Sequence, residues 1–91
     1  MSDTIRVEFT AHAEEQIAAR KMDRAQIIAV ATAPEQVVSE PGKPLVAQSR
    51  IQFKGKTFLL RVAFHDEGDV RLVITVYRTS QVRRYWQEEA Q

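Results

Sequence analysis

The chain has 91 residues, no cysteine, 44% hydrophobic and 27% charged residues, and a formal net charge of +1 at pH 7. That length holds one modest core, and the lack of thiols excludes disulfides, thiolate catalysis and cysteine zinc sites. No apolar run approaches the roughly eighteen residues of a membrane span, and no signal-peptide pattern opens the chain, so a cytoplasmic protein with no membrane partner is expected.

Asp3 to Thr10 alternates apolar Ile5, Val7 and Phe9 with polar neighbours, the period of a short edge strand or extended arm. Thr10 then precedes a helical stretch with Glu14 and Glu15 in its first turns, where acids suit the macrodipole. His12 stands at the mouth of this helix, and Arg20 follows eight residues on, two turns away and able to point the same way. Asp23, with Gln26 three residues later, reads as the cap of a second helix that Pro34 ends.

Beyond Gln36 the period changes from 3.6 to 2. Val37-Val38 suggests a short strand, and Glu40-Pro41-Gly42-Lys43-Pro44 a loop. Leu45–Phe53, Thr57–Phe64 and Val70–Tyr77 read as three antiparallel strands joined by a tight turn at Lys54-Gly55 and a longer polar loop, His65 to Asp69. Thr79 to Glu89 reads as a short helix. The order implies an α+β fold: two N-terminal helices packed on one face of an antiparallel sheet of three to five strands, then a short C-terminal helix.

Pairing Phe53 with Lys56 and Phe64 with Val70 divides the sheet into two faces. Ile51, Phe53, Phe58, Leu60, Val62, Phe64, Val70, Leu72, Ile74 and Val76 form the expected core face. The other face carries Gln48, Arg50, Gln52, Leu59, Arg61, Arg71, Val73, Thr75 and Tyr77. In this register Arg50, Leu59 and Thr75 make one row, and Gln52, Thr57 and Tyr77 the next. Such a face is either an ordinary solvated sheet surface or an anion site, with guanidiniums and hydroxyls for phosphate oxygens.

Arginines outnumber lysines nine to four, and Arg78, Arg83 and Arg84 crowd the C-terminal end. The planar guanidinium fork is the better bidentate phosphate ligand. The two histidines lie far apart with no HExxH motif, so neither a metal nor another cofactor is expected. Metal-free RNA cleavage needs a base, cations for the transition state and a proton donor; His12, the arginines and Tyr77 are the groups available.

Three stretches, HAEEQIAARKMDRAQI, KGKTFLLRVAF and LVITVYRTSQVRRYW, together with Pro34-Glu35 leading into Val37-Val38, resemble the small DUF4258 proteins. That family is similar to RelE/ParE-like and BrnT-like toxins and to ribonucleases of the barnase–EndoU–colicin–RelE fold. The resemblance implies a single toxin-like domain over residues 1–91, acting on RNA without metal and restrained by a cognate antitoxin or immunity protein. It further implies His12, Arg20, Arg61, Thr75 and Tyr77 as catalytic residues; Arg50 and Arg78 are the expected substrate-binding residues, Arg50 chiefly from its place on the polar face. A non-catalytic protein- or nucleic-acid-binding module, or a ParE-like gyrase poison, is the alternative on the same fold.

Overall fold

Thr10 closes one element and opens the next. Its backbone N–H donates to Val73 O, its hydroxyl donates to Ile74 O, and the same hydroxyl accepts from Ala13 N–H at 3.1 Å. One side chain therefore caps a helix and ties it to the sheet. The computed structural model describes residues 5–88, so Asp3, Thr4 and Glu89 of the expected elements lie outside the described residues. Within them run β1 (Arg6–Phe9), α1 (Ala11–Ala19), α2 (Arg24–Thr32), β2 (Gln36–Val38), β3 (Leu45–Phe53), β4 (Lys56–Glu67), β5 (Val70–Thr79) and α3 (Val82–Tyr85).

The turn between α1 and α2 shapes the site. Met22 N–H bonds Ile17 O and Lys21 N–H bonds Ala18 O, with Lys21 at φ 52°. This is a Schellman closure with lysine in the left-handed position usually given to glycine. It turns Met22 inward, 8% exposed, and leaves Arg20 exposed at the bend. Asp23 then caps α2 through Ala25 and Gln26.

The five strands form one sheet in the order β1-β5-β4-β3-β2. The expected antiparallel sheet is instead mixed, because β1 runs parallel to β5 while the other neighbours are antiparallel. The first hairpin has the expected register, Phe53 opposite Lys56, closed by Lys54 and Gly55 at φ 54° and 74°. Both turn residues thus take the left-handed conformation of a type I′ turn, which matches strand twist.

The second hairpin differs from expectation. Strand β4 continues to Glu67 and turns at Gly68-Asp69, with Gly68 at φ 62°, so His65, Asp66 and Glu67 are strand residues rather than loop. Arg61 consequently faces Tyr77, Phe64 faces Val73, and a bulge interrupts the register at Ala63/Phe64. A bulge puts one extra residue on one strand and reverses the facing beyond it. Val73 is therefore fully buried in the core instead of Leu72 or Ile74, which are half-buried. Arg71 likewise leaves the expected polar face: it stacks on Phe64 and donates to Ala31 O of α2.

The core cluster joins Ala13, Ile17, Ile27 and Val30 with Leu60, Val62, Phe64, Val73 and Val76. Phe58, expected among them, is half-buried and meets Phe53 edge to face.

Candidate functional site

The register that replaced the expected rows creates a polar row across four strands. Gln36 stands opposite Gln48, Gln48 opposite Arg61, and Arg61 opposite Tyr77. Side chains follow the row. Gln48 Nε2 donates to Gln36 Oε1 at 2.8 Å, Arg61 Nε donates to Gln48 Oε1 at 2.9 Å, and Arg61 Nη1 donates to the Tyr77 hydroxyl. Gln48 is fully buried and Arg61 is 8% exposed.

A guanidinium so far removed from water ordinarily takes a carboxylate partner, because desolvating a charge is expensive. Among the described residues Arg61 has no ion-pair partner. Neutral dipoles and aromatic faces surround it instead: the Tyr85 ring centroid lies 4.4 Å from its central carbon and the Tyr77 centroid 5.6 Å. Its Nη2 makes no hydrogen bond among the described residues, and Arg61 lines a cleft of about 320 Å³ with Tyr77, Tyr85, Ala63 and Val46, across from Glu40 and Lys43, which pair with each other at 3.3 Å. The arrangement is a recessed, oriented cation open on one side, suited to an anion that brings its own oxygens.

Residues 9–78 match the family model described as "Domain of unknown function (DUF4258)". The chain belongs to the DUF4258 family. No curated protein and no solved structure matches it. The expected site residues from His12 to Arg78 fall inside the matched stretch, whereas Tyr85 and Trp86 lie beyond it.

In this DUF4258 chain the expected residues divide into groups. Arg61 and Tyr77 meet directly. Arg20 and Arg78 line a second cleft, of about 430 Å³, with Gln16, Met22 and Tyr77. Thr75 shares the Arg61 face by register, but its hydroxyl turns to Gln16 Oε1 at 3.4 Å. Arg50 is engaged elsewhere, bonded through Nη2 and Nε to Glu35 and stacked at 4.3 Å over the Trp86 ring. Those side-chain bonds, with the Arg50 backbone N–H second, hold the Glu35 carboxyl below the ordinary range of glutamate. His12 is exposed in the first turn of α1 and is not among the residues that line either cleft.

Two features escaped the sequence reading. Gln48 fixes the guanidinium plane, yet a glutamine in an alternating strand looks like surface. The segment around α3 roofs the supposedly open face: Tyr85 O accepts from Gln48, Tyr85 meets Tyr77 edge to face at 6.3 Å, and Gln87 bonds Gln36 in both directions. Its mark in the sequence is the i, i+3, i+4 spacing of Val82, Tyr85 and Trp86. Among the described residues, no group of three or more His, Asp or Glu side chains could hold a metal ion, and no helix is long and apolar enough to cross a membrane.

Proposed function

We propose that this DUF4258 protein acts on RNA as a toxin-like, metal-independent ribonuclease in the cytoplasm, seating a backbone phosphate against Arg61 and Tyr77 and restrained by a cognate partner protein. The carrying observation is the Arg61 guanidinium, recessed and oriented by Gln48 yet with no ion-pair partner among the described residues. We read α1 and α2 as covering the sheet face opposite the polar row, since Ile17, Ile27 and Val30 share the core with Leu60, Val62 and Val76. The row's own face carries the α3 segment, and the cleft beside Tyr77 and Tyr85 is the part of it that a ligand would enter.

The chemistry asked of the residues is limited. Arg61 would hold the non-bridging phosphate oxygens and offset the charge that grows as the 2′-hydroxyl, giving its proton to solvent water, bonds to phosphorus and the bond to the 5′-oxygen breaks. Tyr77 accepts a hydrogen bond from Arg61, so its own O–H is free to point into the cleft and deliver a proton to the departing 5′-oxygen.

A second reading, an RNA-binding module without cleavage, is favoured by the placement of His12 outside both clefts. Incubating the purified protein with single-stranded RNA in EDTA separates the two. Cleavage lost in Tyr77→Phe and retained in Arg6→Ala supports the ribonuclease. RNA bound but uncut, with His12→Ala indistinguishable from the parent, supports the module, and RNA neither bound nor cut removes both.

A further inference from the structure

The second cleft has a chemical character of its own. Its polar lining consists of the Arg20 and Arg78 guanidiniums, the Gln16 amide and the Tyr77 phenol, over the thioether of Met22. Among the described residues neither arginine has an ion-pair partner. Gln16 spends its Oε1 on the Val76 N–H at 2.8 Å, at the edge of β5 beyond the end of β1, and its Nε2 makes no hydrogen bond among the described residues. Arg78 is held by stacking over Phe53 at 4.0 Å, which orients the fork without consuming its donors. The cleft therefore offers N–H donors and positive charge with no carboxylate to neutralise them.

Tyr77 is the wall common to this cleft and the Arg61 cleft. We propose that the second cleft takes the neighbouring phosphate of the same strand, so that Tyr77 stands between two consecutive phosphates of a single-stranded RNA. This deepens the Arg61 reading and rests on it for the first phosphate only. A single strand is specified because its backbone must enter the recess that Tyr77 and Tyr85 line with Arg61 and then pass the free edge of β5. A paired second strand would collide with the roof formed by Tyr85 and Trp86.

The probes are a 2′-O-methyl uridine pentanucleotide, which cannot be cut, uridine 3′-monophosphate, and the pentanucleotide annealed to its complement. In the unmodified protein, arginine Nε resonances of Arg61, Arg20 and Arg78 should all move with the pentanucleotide. The Arg20→Ala/Arg78→Ala protein, checked for an unaltered amide spectrum, should lose at least about tenfold in pentanucleotide affinity relative to monophosphate affinity. Its log–log salt slope should fall by about one per arginine removed. An unchanged affinity ratio and slope, or a duplex bound as tightly as the single strand, would overturn the proposal. If Arg20 and Arg78 respond while Arg61 stays silent to both ligands, the Arg61 seat fails and the second cleft stands. A pentanucleotide that moves none of the three removes both.

Discussion

Gln48 accepts from Arg61 with its carbonyl oxygen and spends its amide on Gln36 Oε1 and Tyr85 O, at 2.8 and 3.1 Å. One buried side chain thus locks the guanidinium plane and the C-terminal roof together. Gln48→Leu preserves shape but strands the Arg61 Nε–H and the Tyr85 carbonyl. Leaving a buried donor or acceptor unpaired costs about 1–3 kcal/mol, so the variant should unfold at lower urea concentration with an unchanged m-value. RNA affinity should fall with it, because Arg61 would no longer be aimed. A Gln48→Leu protein as stable and as tight as the parent would show that the polar row is not a working unit.

Trp86 is the chain's single tryptophan, and it lies under Arg50, so its fluorescence reports on the roof. Arg50→Ala removes both the stacked cation and the partner of Glu35, which should shift and broaden Trp86 emission while leaving the far-ultraviolet spectrum intact. Emission identical to the parent would mean that Arg50 does not hold the segment down.

Much of this architecture was legible because apolar alternation and capping chemistry are local. The Thr10 and Asp23 caps, the Lys54-Gly55 turn and the Phe53–Lys56 register all depend on residues within a few positions of one another. What escaped was set at longer range. The parallel pairing of β1 with β5 leaves no mark in either strand. Asp66 and Glu67 look like loop because β4 continues past the core, where strand residues are free to be polar. The site was half legible: Arg61 and Tyr77 were read onto one face, but the bulge decided which residues oppose them. Arg50 was read as a ligand group because nothing in the alternation reveals that Glu35 folds back onto it.

Arg71 grips Asp66 through two bonds of 2.7 and 2.8 Å and donates to the Ala31 carbonyl at the end of α2. Its side-chain bonds, before the general attraction of its charge, hold the Asp66 carboxyl below the ordinary range of aspartate. The native state then binds fewer protons than the unfolded chain, so this contribution is present above the ordinary aspartate pKa of about 3.9 and is lost as pH falls through the lower native value. Asp66→Asn should reduce the stability difference between pH 6 and pH 2.5 in urea titrations. Glu14 and Glu35 are also held low by arginines, so the dependence should shrink without vanishing. An unaltered pH profile would mean that the Asp66 pair adds nothing to the folded state.

The bulge in the second hairpin gives the sharpest test of the register. Uninterrupted pairing would bury Leu72 and expose Val73, whereas the structure buries Val73 completely and leaves Leu72 partly open. Val73 also shares the core with Phe64 and Val76 and sits opposite Phe9 of β1. Truncating it opens space between two strands and the helices, where neighbours cannot collapse freely. Val73→Ala should therefore cost about 2 kcal/mol, lowering Tm by roughly 8–16 °C in a domain of this size. Leu72→Ala removes more carbon from a site that is already part-solvated and should cost less. Thermal melts of the two single variants decide the matter, because an uninterrupted register requires the opposite order.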